Sequence, residues 1–405
     1  MTSVTVVGIG ADGLEGLGSA ARTLIREADV VLGADRQLAL LPDDLVQHRE
    51  AWPSPLRENL VAFLEKFAGQ RIVAVASGDP LLAGIGTTLI ELLGPESVVI
   101  VPTVSSVALV RARLRWSAES VEVVRLVGPD VRPVLREVHP GRRLLVLSAD
   151  GTSPAAVATL LTDAGFGTST MSVFGNLGAA SETRDDALAA SWGERAVPPL
   201  NVIAIQCESA GAPPHGLTTG LPDGAFDHDG QITKRDVRAS ALARLTPLPG
   251  QLLWDVGAGA GSVGIEWMRA HTTCRAIAIE ERDDRAERIA GNAARLSVPD
   301  LAVVVGHAPD VLADLERPDA VFVGGGATEP GLLDACWEAL LPGGRLVVHG
   351  VTLETEALLI ARHAKQGGEL TRLHVEYAAP IGSFTGWRPS RAIMQWALTK
   401  ANDLV

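Results

Sequence analysis

Two glycine-rich turns carry the residues best suited to chemistry. Gly8-Ile9-Gly10-Ala11-Asp12-Gly13 follows the apolar run Val4-Thr5-Val6-Val7, and Asp255-Val256-Gly257-Ala258-Gly259-Ala260-Gly261 follows Gln251-Leu252-Leu253-Trp254. With no Cβ in the way, the backbone N–H groups of such a turn can approach a ligand closely, and the helix start beyond it adds a favourable dipole. Acids accompany the second turn: Asp255 ends its strand, and Glu280 ends the next one, Ile277-Ala278-Ile279-Glu280. A carboxylate in that place can accept hydrogen bonds from both hydroxyls of a ribose. A chain that builds two such turns separately binds two copies of a nucleotide-like cofactor, or one cofactor type for two reactions. A nicotinamide dinucleotide, whose fingerprint is G-x-G-x-x-G, is the competing ligand at the second turn, where glycines alternate and Gly264 follows.

The elements that must position these turns alternate along the chain. In the first half, strand-length apolar runs fall at Val4–Val7, Val30–Leu32, Ile72–Ala76, Val98–Val101, Val121–Leu126, Leu144–Leu147, Met171–Phe174 and Val202–Gln206. Helical patterns lie at Leu17–Ala28, Thr87–Leu93, Ser105–Leu114 and Ser153–Asp163. A Pro/Gly-rich stretch without periodicity begins at Glu208, and we read 208–229 as a linker between domains 1–207 and 230–405.

The second half opens with a helix at Arg235–Leu245. Strands are expected at Leu252–Asp255, Ala276–Glu280, Ala302–Val305, Ala320–Val323 and Arg345–Val348, with helices Ser262–His271, Asp283–Arg295, Pro309–Leu315, Pro330–Leu341 and Glu354–Ala364 between and after them. Such alternation predicts a parallel sheet with helices on both faces. Two last strands, Glu369–Tyr377 and Arg391–Leu398, predict an antiparallel edge. The fold class is α/β throughout, and the halves show no sequence repeat.

Composition narrows the function. The chain has 405 residues, 47% of them hydrophobic, and a mean hydropathy of +0.21. That is enough for two cores, and no apolar run approaches the ~20 residues of a membrane span. A basic leader region is missing at the N-terminus, so the expected location is the cytoplasm. A net charge of −13 argues against nucleic acid as a partner. Cys207, Cys274 and Cys336 are far apart and lack metal-ligand spacing, so neither a metal site nor a disulfide framework is expected. Apolar helices in both halves are compatible with a homo-oligomer.

Three further segments join the first turn. Ser77-Gly78-Asp79-Pro80 leads to Gly84-Ile85-Gly86, Pro102-Thr103-Val104-Ser105-Ser106 opens a helix, and Pro198-Pro199-Leu200-Asn201 precedes a strand. Together with Gly8 and Gly10 they resemble the tetrapyrrole (corrin/porphyrin) methylases, two-lobed enzymes that hold S-adenosylmethionine (SAM) in a cleft. The usual family opening is G-x-G-P-G, and Ala11-Asp12 departs from it. The second turn, with Glu280 and the five-plus-two strand pattern, resembles the Rossmann-like class I SAM methyltransferases.

The fusion of the two resembles the bifunctional precorrin-6B C5,C15-methyltransferases (decarboxylating) of cobalamin synthesis. Ile232-Thr233-Lys234-Arg235-Asp236-Val237-Arg238, Phe322-Val323-Gly324-Gly325-Gly326 and Pro342-Gly343-Gly344 fit the decarboxylating half. The resemblance implies one SAM per domain. The residues it points to are Gly8, Gly10, Gly78, Asp79, Pro80, Leu82, Ser105, Ser106 and Leu200 in the first domain. In the second they are Thr233, Asp255, Gly257, Gly259, Gly261, Glu280, His307 and Ala308.

It also implies methylation at C5 by the first domain, and methylation at C15 with decarboxylation of the C12 acetate by the second, giving precorrin-8. In-line methyl transfer needs neither a metal nor a covalent nucleophile, and positioning provides most of the help. Decarboxylation needs an electron sink, which the conjugated macrocycle can be, and a proton handler; His307, Glu329 and His349 are the candidates. A substrate rich in acetate and propionate groups needs cations, for which Lys234, Arg235 and Arg238, then Arg388 and Arg391, and Arg111 in the first domain are expected. A tRNA methyltransferase would want a basic face, and a SAM-binding regulator would not need both turns intact.

Overall fold

The computed structural model describes residues 3–126, 128–209 and 216–402. The chain divides into two compact units, Met1–Ala212 and Pro213–Val405.

The first unit contains two five-stranded sheets. Strands β1 (Val4–Ile9), β2 (Val30–Gly33), β3 (His48–Ala51), β4 (Ile72–Ser77) and β5 (Val98–Val101) form a parallel sheet in the order β3-β2-β4-β1-β5. Both faces are covered, which is why β1 and β4 read as continuous apolar runs. Ala21 and Ile25 of helix α1 (Ser19–Glu27) pack on one face. A one-turn helix α2 (Asp35–Leu38) follows β2, and α3 (Leu56–Glu65) packs Leu60, Phe63 and Leu64 on the other face. Helix α4 (Ile85–Leu93) precedes β5, and α5 (Ser106–Leu114) leads to the second sheet.

That sheet has the order β6-β7-β10-β8-β9, from β6 (Glu122–Arg125), β7 (Arg143–Leu147), β8 (Thr170–Gly175), β9 (Thr183–Leu188) and β10 (Asn201–Gln206). Only β6 and β7 pair in parallel. Helix α6 (Ser153–Asp163) buries Val157, Ala158 and Leu161 against one face, while Val107 and Val110 of α5 cover the other. The strands the apolar pattern did not reveal, β3 (HREA) and β9 (TRDDAL), are polar edge strands with little to bury.

In the second unit, α7 (Arg235–Leu245) precedes alternating β11 (Leu252–Val256), α8 (Ser262–Ala270), β12 (Arg275–Glu280), α9 (Asp283–Arg295), β13 (Ala302–Val305), β14 (Ala320–Val323), α10 (Leu332–Ala339), β15 (Arg345–Gly350) and α11 (Leu353–Gln366). With β16 (Glu369–Leu373) and β19 (Ile393–Thr399) they make a seven-stranded sheet, β13-β12-β11-β14-β15-β19-β16. Five strands are parallel, and β19 is antiparallel to both β15 and β16. Strand order reverses between β11 and β14, the place where open α/β sheets leave a ligand crevice at their carboxyl ends.

Three expectations are corrected. Pro309–Leu315 is a run of turns, not a helix. The strand expected at Glu369–Tyr377 breaks, and its far end starts a separate hairpin, β17 (Glu376–Ile381) with β18 (Phe384–Pro389), closed by the two-residue turn Gly382-Ser383. The segment read as a linker is bound into the second unit from Gly220 onward: Leu221 and Phe226 are 3% and 4% exposed and share a core with Leu242 and Trp267. Its Gly/Pro-rich composition masked those two anchors. Among the described residues, no helix is long and apolar enough to cross a membrane.

Candidate functional sites

A cavity of about 940 Å³ lies in the first unit between its two sheets. The loops after β1, β4 and β5 meet there because their backbones nearly touch. A Cβ on Gly8 would sit 1.8 Å from the Gly78 carbonyl oxygen and 2.9 Å from the Thr103 nitrogen. Gly78 N–H donates to Ile9 O (3.0 Å), and Thr103 N–H donates to Gly78 O (3.2 Å). Gly8 is therefore a packing residue beneath the cavity, while Gly10, Gly78, Asp79, Leu82, Ser105, Ser106 and Leu200 line it.

Asp79 Oδ1 accepts from Leu81 N–H (2.9 Å), and Ser105 Oγ caps α5 by accepting from Ala108 N–H (3.1 Å). Pro80 is not in the wall; its carbonyl accepts from Gly86 N–H (3.0 Å) and holds the Gly84–Gly86 turn. The departure at Ala11-Asp12 has a structural counterpart, because the Asp12 carboxyl occupies the space a Cβ on Gly10 or Gly16 would need.

Arg111, expected to meet substrate, does not line this cavity, and neighbouring Arg113 pairs with Glu182 (2.9 Å). The cations in the wall are Arg36 and Arg125, which the sequence pattern did not reveal. Arg36, exposed at the cavity mouth, donates to Ser77 Oγ (2.8 Å), and partial desolvation against the wall lowers its guanidinium from its ordinary range. Arg36 stands just past the carboxyl end of a parallel strand, a signal that topology alone could have offered.

The second unit has a cavity of about 820 Å³ at the carboxyl ends of β11, β12, β14 and β15, on the switch point. Gly257, Gly259 and Gly261 have φ of +68°, +59° and +73°, a left-handed turn that favours glycine. Close approach reinforces the need, since a Cβ on Gly257 would meet the Gly325 nitrogen and one on Gly259 the Gln231 oxygen, each at 2.9 Å. Glu280 is 4% exposed, and its Oε2 accepts from Gly259 N–H (2.8 Å). Its Oε1 accepts from Arg282 N–H (3.3 Å). A carboxylate has about four acceptor sites, so Glu280 keeps capacity for two ribose hydroxyls; turn and acid together fit a nucleoside cofactor.

Thr233, Gly257, Gly259, Glu280, His307 and Ala308 line this cavity, with Lys234, Glu329, His349 and Arg391. Gly325, from the Phe322–Gly326 run, is present too, and Gln231, Glu281, Arg285 and Tyr377 were not foreseen. Gly261 lies behind the wall, where a Cβ would meet Ile289 at 2.7 Å, so it serves the packing of α8 on α9.

Three of the expected cations stand outside the cavity wall. Arg238 is fully buried, with Nε on Glu266 Oε1 (2.6 Å), Nη1 on Asp223 Oδ1 (3.4 Å) and the Phe226 ring at 4.8 Å, so it braces the fold rather than meeting substrate. Arg235 and Arg388 do not line the cavity, and Arg388 stands exposed on β18. A charge-rich run at a helix start looked uniform in sequence, but helical geometry turned Arg238 inward.

The acids and histidines differ in state. Asp255 is 1% exposed; Oδ2 accepts from Gly264 N–H (2.8 Å), and Oδ1 is buried without a partner. Burial, with the Glu280 charge adding, pushes its carboxyl up to about 7, and Asp255 lies beneath the turn rather than in the wall. His349 is buried edge-on to Phe322, and burial pushes it down to about 4. Gln395 Nε2 donates to Ser240 Oγ (3.2 Å), which turns Oε1 toward His349 Nε2 (2.9 Å). The ring is thus neutral with Nε2 protonated, and it does not serve as a proton donor near neutral pH. His307 lies half-exposed between Asp310 (3.4 Å) and Glu329 (3.8 Å).

These two buried groups give opposite pH dependences. The unfolded Asp255 carboxyl ionises near 3.8 and the folded one near 7, so the folded unit holds an extra proton between them and loses stability as pH rises through that window. His349 acts in the other sense: unfolded chains take up a proton below 6.5, the folded ring only near 4, and stability falls as pH drops through that range. Asp255→Asn should remove the first effect, worth roughly 2–4 kcal/mol. In urea unfolding the variant should then gain stability as pH rises and level off. A variant whose unfolding midpoint tracks the native one at every pH would refute the assignment.

A family model described as Tetrapyrrole (Corrin/Porphyrin) Methylases matches residues 3–187, and one described as Precorrin methyltransferase domain matches 224–400. The chain is 44% identical over 398 residues to a Sinorhizobium sp protein named precorrin-6Y C(5,15)-methyltransferase [decarboxylating], covering 98% of this chain and 96% of that one. A Mycobacterium tuberculosis (strain CDC 1551 / Oshkosh) protein of the same name is 44% identical over 397 residues, covering 98% and 100%. A shorter Salmonella typhimurium protein, named cobalt-precorrin-6B C(15)-methyltransferase (decarboxylating), is 30% identical over 178 residues, covering 43% of this chain and 92% of its own length.

Proposed function

From the premise that the chain belongs to the precorrin-6Y C(5,15)-methyltransferase (decarboxylating) family, SAM-dependent enzymes of cobalamin biosynthesis, we propose a division of labour between its two units. The first unit methylates C5; the second methylates C15 and removes the carboxyl of the C12 acetate as CO2, leaving a methyl group. Each unit holds its own SAM. The observation that carries this reading is a separate cavity in each unit, built on glycine turns at strand ends. The Salmonella relative, whose name mentions only C15 and decarboxylation, has the length of one unit.

Bound in either cavity, SAM would supply an electrophilic methyl group on a sulfonium. Gly10, Gly78, Asp79 and Ser106 would hold it in the first cavity, and Gly257, Gly259 and Glu280 in the second. The protein's task is to hold donor and ring carbon in line and to exclude water. Arg36 and Arg125 in one wall, and Lys234 and Arg391 in the other, would anchor the macrocycle's carboxylates. When the acetate C–C bond breaks, its electron pair passes into the conjugated ring and CO2 leaves; the remaining carbon then needs a proton. His307, in the cavity wall between Asp310 and Glu329, would deliver it, whereas the neutral His349 would not.

Filling one cavity at a time tests the division. Ser106→Trp should block the first cavity, and Gly325→Trp the second, where a Cβ meets nothing within 4 Å. With methyl-labelled SAM and precorrin-6Y, no product of Ser106→Trp should carry label at C5. Gly325→Trp should release no CO2. Label at C5 from the first variant, or undiminished CO2 release from the second, would assign the steps differently.

A further inference from the structure

Residues 220–234 form a strap whose far end, Gly230–Lys234, is one wall of the second cavity. Its fit over the glycine turn is close, as the 2.9 Å clearance between Gln231 O and a Cβ on Gly259 shows. Two buried side chains fasten it. Glu266 accepts from the backbone N–H groups of Gly220 (2.6 Å) and Leu221 (2.9 Å) while pairing with Arg238.

The other fastener is Asn292 of α9, 0% exposed, and it reaches both walls at once. Its Nδ2 donates to Asp227 O (2.9 Å) in the strap and to Ala260 O (3.0 Å) in the glycine turn. Its Oδ1 accepts from Asp227 N–H (2.8 Å) and from Arg295 Nη2 (2.6 Å). Both amide protons and both carbonyl lone pairs are used, so the side chain has one orientation available. Fully satisfied buried polar networks of this kind fix a unique local geometry.

We propose that Asn292 is a positioning residue that sets the spacing between the strap and the glycine turn, and thereby the affinity of the second unit for its cofactor. It touches none of the reacting groups. The inference rests on the reading that this cavity takes SAM. Asn292 acts on the cofactor rather than the macrocycle because the two walls it joins, Ala260 beside Gly259 and Asp227 leading to Gly230, meet over the turn that Glu280 also engages.

The test uses the full chain and follows C15 and C5 methylation as methyl-labelled SAM is varied. Asn292→Asp keeps the shape but loses both donors, leaving Asp227 O and Ala260 O unpaired. It should raise the KM for SAM in C15 methylation about tenfold, with kcat at saturating SAM little changed and the KM for SAM in C5 methylation unaltered. Asn292→Ser, which retains a donor, should shift the same KM by less and serves if the aspartate variant does not fold. A folded variant with native KM, or one that loses kcat at constant KM, overturns the proposal. Failure of the underlying reading looks different: the native chain would then put no label from SAM on C15, or Gly325→Trp would leave that label undiminished.

Discussion

Glu280→Ala should lower the affinity of the second unit for SAM by about 100-fold or more. The carboxylate is buried at the end of β12, held by Gly259 N–H and Arg282 N–H with Arg285 Nη1 at 3.8 Å, and it lines the cavity. Hydrogen bonds to a charged group contribute about 1.5–3 kcal/mol each. Removing both ribose hydrogen bonds therefore costs more than the ~2.7 kcal/mol that corresponds to roughly 100-fold. The turn itself should loosen, because Gly259 N–H loses its acceptor. C15 methylation at ordinary SAM concentrations should nearly cease, while the first unit, which has its own cavity, should bind SAM as before. Native affinity in this variant would mean the acid only braces the turn.

Gly8→Ala should be more damaging to the fold than to any single interaction. The added methyl would sit 1.8 Å from a backbone oxygen and 2.9 Å from a backbone nitrogen, with no side-chain rotation to relieve it. Either β1 separates from the Gly78 loop or the Gly78–Thr103 hydrogen bond breaks. Overpacking of this severity costs more than about 3 kcal/mol. The first unit should unfold at distinctly lower urea, and C5 methylation should be lost with it. Unfolding of the second unit should be unmoved, since its core is its own. An alanine variant with native stability and native C5 methylation would show that the three strand ends are not pinned through Gly8.

Both glycine turns, Glu280 and the five-plus-two strand pattern were legible because they depend on local chain geometry: strand, tight turn, helix, acid at the next strand end. What sequence could not resolve was direction. Lys234, Arg235 and Arg238 look alike as a string, yet one lines the cavity, one does not, and one is buried on Glu266. Arg388 and Arg391 flank two residues and separate in the same way, because the chain leaves the hairpin between them.

Long-range pairing was hidden as well. His349 becomes a neutral ring through Gln395, and Asn292 gains its role from Asp227 and Ala260, partners that no spacing rule connects to it. Polar edge strands β3 and β9 left no apolar trace, and the anchors Leu221 and Phe226 sat inside a stretch whose composition resembled a linker.

The central claim is that each unit holds its own cofactor. Equilibrium dialysis of the full chain with labelled SAM, native and Glu280→Ala side by side, tests it most directly. The account expects one site per unit in the native chain and loss of the second unit's site alone in the variant. A single site in the native chain, or loss of all binding on replacing Glu280, would contradict it.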